Sequence, residues 1–215
     1  DSLNVSVVDL TPHSKNSPTF ASVITNSKNG DRTVFSYHPV QIEIDSKSLQ
    51  RSIEQYDIIM IDGFHREVSI ELIRLAKTFD IPVVLDGGSW KEGLDKLLPY
   101  TDIVVCSEHF FPPGTSTFDE VVNYLKLKGI QNVAITRGGE SIIFYDRDNS
   151  GTVPVQKIRP VDTLGAGDFF HGAFCYFYAQ KRNFKEALRM ASDIAAKSCL
   201  EYGTRSWLQK IKANT

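Results

Sequence analysis

The residues best placed to do chemistry are Gly165-Ala166-Gly167-Asp168. Small residues directly before an apolar helix leave backbone N–H groups unpaired with the positive end of the helix dipole behind them. They also let an anion approach the backbone closely. Asp168 is the odd member. The same dipole keeps its carboxylate ionised, so a proton acceptor stands beside an anion cradle, the pairing that transfer of a phosphoryl group to a hydroxyl requires. A plainer reading competes on these four residues alone: Asp168 complements a helix start and Gly-Ala-Gly makes a turn.

The elements that must position this turn read as α/β. The run from Ala166 to about Gln180 holds no Pro and is apolar on most sides (Phe169, Phe170, Phe174, Tyr176, Phe177), which predicts a helix buried in a core. A second helix is expected over Phe184–Tyr202, ended by Gly203-Thr204, with Ala187, Leu188, Ala191, Ala195 and Cys199 on its buried face. Upstream, short apolar strands (57–62, 81–86, 102–106, 132–136) alternate with helical stretches (68–79, 92–98, 118–128). That order predicts a mostly parallel sheet with helices on both faces. Loops after such strands are where ligands bind, which draws attention to Gly63, to the loop after Asp86, to Ser107 and to Thr136-Arg137-Gly138-Gly139. Strands over 141–146 and 152–155 form a hairpin. Residues 1–40 read as β-rich, with strands at 5–8, 19–25 and 33–37 and a turn at Asn29-Gly30.

The ordered stretch Asp162-Thr163-Leu164-Gly165-Ala166-Gly167-Asp168 closely resembles the C-terminal signature of the ribokinase-like (PfkB) carbohydrate kinases. The resemblance implies a three-layer ribokinase-like fold with a small β lid over residues 1–40 and a nucleotide-binding and catalytic core over 41–215. It implies ATP and Mg²⁺ as cofactors and a sugar as acceptor. In that family the Gly165, Ala166 and Gly167 amides would form an anion hole and Asp168 would be the general base. Thr163 falls within the signature. Thr136-x-Gly138 resembles the family's nucleotide loop, and Cys199 and Gly203 would border the adenine. A core thiol and a helix stop explain that last pair equally plainly.

Gly63 either lets nucleotide or sugar pass close or is a turn glycine. Asp86 either helps hold hydrated Mg²⁺ or caps a turn. A monovalent cation such as K⁺ near Asp162 and Gly203 is implied by resemblance only. Gly30-x-Arg32-Thr33 before a strand resembles a ketohexokinase-like pattern in which Arg32 faces substrate; an exposed strand-end charge is the alternative. Where many members carry Asn-x-x-Glu, this chain has Ser107 and Phe110, a departure shared with ketohexokinase-like members that puts the familiar metal handling in doubt. The family's N-terminal strand–helix–strand region has no counterpart here, so the sequence reads as a fragment in which sugar identity is not legible. Ribose, a nucleoside or a sugar phosphate stay open beside a ketohexose. A non-catalytic nucleotide- or sugar-binding relative is the rival reading. Lid pairing between subunits would make a homodimer.

Composition excludes other classes. The 215 residues are 41 % hydrophobic with net charge −2 and pI about 6.2, so neither nucleic acid nor an anionic membrane is an expected partner. No apolar run is long enough to span a bilayer. Cys106, Cys175 and Cys199 lack metal-ligand spacing and read as buried thiols of a cytoplasmic protein. His13, His38, His65, His109 and His171 form no ligand pair, and His171 reads as a packed core residue within reach of Asp168. Neither a P-loop nor Gly-x-Gly-x-x-Gly occurs, because Phe170 stands at the third glycine.

Overall fold

The computed structural model describes residues 5–9, 20–25, 32–37, 53–147 and 149–213. Its centre is a six-stranded sheet of β3 (Ile59–Ile61), β4 (Val83–Gly87), β5 (Ile103–Ser107), β6 (Asn132–Arg137), β7 (Glu140–Asp146) and β8 (Asn149–Val153), paired in that order. β3 to β6 run parallel and β7 and β8 extend the sheet antiparallel, so the sheet is mixed but mostly parallel as expected. Strand alternation sends side chains to two cores. Val83, Leu85, Val104, Cys106, Val133 and Ile135 meet α1 (Arg66–Thr78) and α2 (Phe118–Leu127) on one face. Val84, Ile103, Val105 and Ala134 meet α3 (Ala166–Lys181) and α4 (Phe184–Ser198) on the other. β1 (Phe20–Thr25) and β2 (Arg32–Tyr37) form a separate antiparallel hairpin. The Asn29-Gly30 turn assigned to it lies outside the described residues.

Local chemistry fixes several boundaries. α2 begins at a capping box: Thr117 accepts from the Glu120 amide, and the Glu120 carboxylate accepts from the amides of Ser116 and Thr117. Those bonds hold the Glu120 carboxyl below the usual glutamate range. α4 starts on Asn183, whose side chain accepts from the Glu186 amide.

Three expectations are corrected. Residues 5–9 form no strand, and Val5 and Val7 stand exposed; among the described residues they have no neighbour to complete a ladder. The stretch 92–98 is not an α-helix but two 3₁₀ turns, Leu94–Lys96 and Leu98–Tyr100, because Pro99 supplies no amide to a continuing helix. α4 stops at Ser198 instead of Tyr202, and the reason is an exchange of partners. The Cys199 carbonyl, which a longer helix would bond to the Gly203 amide, accepts from Val161 N and Asp162 N instead, at 2.8 and 3.3 Å. Gly203 N, at φ +82°, donates to Asp162 Oδ2 at 3.0 Å. A further short helix, α5 (Ser206–Ala213), follows.

Candidate active site

The parallel register brings the carboxyl ends of β3 to β6 together: Asp62 after β3, Asp86 in β4, Ser107 ending β5 and Thr136 near the end of β6. The predicted turn joins them from the opposite core. Gly165 is the N-cap of α3 with φ +76°, a left-handed conformation that glycine adopts freely. A Cβ there would lie 3.4 Å from Thr204 Cγ2 and 3.6 Å from Phe169, so the position admits little else. Phe169 in turn packs edge-on against Trp207 of α5 at 4.9 Å, and the Trp207 ring N–H donates to the Thr204 carbonyl. Asp162, buried, braces the turn from below: Oδ1 accepts from Leu164 N at 2.9 Å and Oδ2 from Gly203 N.

Of the three expected anion-hole amides, that of Ala166 is engaged within the turn, donating to the Thr163 carbonyl at 3.2 Å. Gly167 and Asp168 are exposed in the first turn of α3, where amides point out of the helix end. Asp168 sits three residues past the N-cap, in the field of the helix dipole.

The electrostatics converge on Asp86. Burial pushes its carboxyl above the usual carboxylate range, His171 and Lys91 pull it back, and the charges of Asp168 and Asp62 push it further up. Three carboxylates are therefore close enough to sense one another. Among the described residues no three His, Cys, Asp or Glu side chains make a preformed metal cage. Gathered carboxylates nonetheless fit a hydrated divalent ion bound mainly through water. His171, buried as expected, does not simply fill space: Nδ1 lies 2.8 Å from the Gly167 carbonyl and 3.4 Å from Asp86 Oδ2, and Nε2 lies 3.1 Å from the Val105 carbonyl.

Beside the turn opens a cleft of about 730 Å³. Thr136, Gly138, Thr163, Ala166 and Cys199 all line it, so most of the expected nucleotide set meets in one place, and Thr33 of the β1–β2 hairpin reaches it too. Thr136 sits where the β6–β7 register shifts between Ile135 and Arg137, an irregularity that re-aims a side chain. Gly203 is at the edge, bonded to Asp162. Ser107 is occupied elsewhere: its hydroxyl donates to the Gly88 carbonyl and accepts from His109 N at 3.1 Å. Phe110 is buried against Trp90, and a Cβ on Gly87 would lie 3.0 Å from its ring. Gly63, at φ +76°, leaves no room for a side chain because Leu94 packs over it, which accounts for glycine there by local packing. Arg32 opens β2, and its side chain lies outside the described residues.

Sequence reasoning missed the segment Gln156–Pro160 and the residues Glu108, His109 and Ser192, which also line the cleft. One signal was available. Ser192, Ala195, Ala196 and Cys199 follow one another at helical spacing on α4, and a stripe of such small side chains leaves space where larger ones would fill it.

Comparison with known proteins follows this geometry. The chain is 28 % identical over 182 residues to a deoxyribokinase of Salmonella typhi, covering 78 % of this chain and 56 % of that protein. It is 35 % identical over 182 residues to a sugar kinase of Archaeoglobus fulgidus, covering 79 % of this chain and 69 % of that one. The adenosine kinase of Sinorhizobium meliloti superposes with a TM-score of 0.78 at 16 % identity, over 92 % of this chain and 66 % of the other. The chain thus spans a little over half the length of the deoxyribokinase, and the fold is ribokinase-like. Residues 2–211 match the pfkB family carbohydrate kinases, and the chain belongs to that family.

Proposed function

We propose that this chain carries the nucleotide site and phosphoryl-transfer centre of an ATP-dependent kinase that phosphorylates a sugar hydroxyl. The observation that carries the reading is the juxtaposition of a 730 Å³ cleft lined by Thr136, Gly138, Thr163 and Cys199 with the Gly165–Asp168 turn at its edge. ATP would lie in the cleft with its base along the small-residue stripe of α4 and its phosphates toward the start of α3. Asp168, free of burial and held anionic by the dipole, takes the proton from the acceptor hydroxyl. The outward amides of Gly165 and Gly167 stabilise charge on the transferring group. The Ala166 amide joins them when the phosphoryl group displaces its 3.2 Å bond to Thr163. Mg²⁺ would be held through water by Asp86 with Asp168 nearby, and it would screen the phosphate charge. A monovalent cation near Asp162 and Gly203 and a homodimer through the hairpin belong to the same reading.

The names of the relatives favour a pentose, and Ser107 with Phe110 favours a ketohexose-type member. A nucleoside acceptor fits the same turn. One observation favours a second reading, a non-catalytic binder: the place of the family's metal-tuning Glu is taken by Phe110, buried in the core. The test is ADP release with Mg-ATP and a panel of pentoses, hexoses, nucleosides and sugar phosphates, with Asp168→Asn as control. Turnover on one acceptor, lost in the control, supports the kinase. ATP binding without ADP release in both proteins supports the binder.

A further inference from the structure

Resting on that reading, we propose that His171 is a positioning residue for Asp168, a two-ended latch that ties the first turn of α3 to the strand ends beneath it. Three observations carry it. Both ring nitrogens face carbonyl oxygens, Gly167 at 2.8 Å and Val105 at 3.1 Å, so the ring donates at both ends. The side chain is buried, where neither bond competes with water. Nδ1 also lies 3.4 Å from Asp86 Oδ2, and Asp86 is the register partner of Val105 across β4 and β5. A ring that merely filled the core would need no such pair of acceptors, and Phe170 and Phe174 beside it show that the same core accepts plain aromatics.

The consequence runs through one peptide group. The Gly167 carbonyl and the Asp168 N–H share a plane, so fixing the first fixes the direction in which Asp168 leaves the backbone. The helix alone holds that carbonyl by one bond, at a first turn flanked by Gly165 and Gly167. His171 adds a second bond anchored in the sheet 66 residues away in sequence. Asp168 is thereby set against Asp86 and the strand ends by a rigid element instead of by a glycine-flanked turn.

The test compares wild type with His171→Phe, which keeps the shape and removes both donors, and His171→Gln, which reaches one acceptor. The expected result is a roughly ten- to a hundred-fold fall in kcat for His171→Phe, the scale of a misplaced catalytic group, with KM for Mg-ATP within two-fold. His171→Gln should fall between the two. Amide exchange over residues 165–170 should rise roughly three- to ten-fold in His171→Phe, the loss of one net hydrogen bond, with exchange in α4 unchanged. Unchanged kcat per folded molecule, or exchange that rises equally in α4, would overturn the latch. If His171→Phe does not fold, nitrogen-resolved spectra of the wild-type ring decide. Two protected ring N–H groups uphold the proposal, and a bare ring nitrogen overturns it. The exchange and ring measurements need no turnover, so a failure of the kinase reading is seen separately.

Discussion

Two aspartates of one sheet lead different lives. Asp102, at the amino end of β5, is fully partnered: Oδ1 accepts from Lys77 at 2.5 Å and Oδ2 from the Val83 amide at 2.8 Å. Asp86, at the carboxyl end of β4, is half as exposed (22 % against 42 % of the side chain) and faces two further carboxylates. The first arrangement satisfies a carboxylate and ends there. The second leaves like charges gathered and awaiting a cation or a proton, an arrangement that stability alone would not select and that perturbed groups at functional sites share. The two ends of the same strands therefore divide the work, the amino ends closing the structure and the carboxyl ends holding it open to ligands.

Substitutions at the two ends should separate accordingly. Asp168→Asn should lower turnover by roughly 10²–10⁴-fold while ATP binding, read by calorimetry, persists. Full turnover in that variant would remove the distinction between the ends. Gly165→Ala should cost about 1–2 kcal/mol of stability in urea titrations, because its φ of +76° is the strained left-handed region for any other residue. Its Cβ would also press on Thr204, so turnover should fall beyond the loss of folded protein. Asp102→Asn is the contrasting case. With both members of its ion pair more than a third exposed, the loss is about 0.5–1 kcal/mol, and kcat per folded molecule stays as in wild type. The smallest effect lies far from both ends. Glu120 has a folded carboxyl held below its ordinary range by the cap of α2, so it stabilises the fold above the ordinary glutamate pKa. That contribution is lost as pH falls through the lowered value. Glu120→Gln should show a flatter decline of the urea midpoint over the same acid window, and an unchanged profile would assign no stability to the cap.

The parts legible in the sequence were those set by neighbours in the chain. The Gly165–Asp168 turn, α3 and the alternation of strand and helix follow from spacing and residue type within a few positions, and all appear. What escaped was set across distance. The early end of α4 depends on Asp162, 41 residues away, taking the Gly203 amide. The two partners of His171 include a strand carbonyl that no periodicity announces. The segment Gln156–Pro160 has neither helical nor strand regularity, so only the folded chain brings it to the cleft. Ser107 illustrates the reverse case: its type fitted a ligand contact, yet the Gly88 carbonyl and the His109 amide take up its hydroxyl.

The bond between Asp162 and Gly203 has a consequence for the order of assembly. It closes a chain segment whose two long members, α3 and α4, are consecutive and pack through Phe174 and Phe184 at 5.7 Å. Closing so short a segment loses little chain entropy, whereas the parallel strands must be gathered over crossovers. The helical pair that bears the catalytic turn is thus suited to condense as a unit and offer a template on which β4 to β6 settle. Phosphoryl-transfer geometry would then be laid down before the sheet is complete, and a slow step in refolding would belong to the strands.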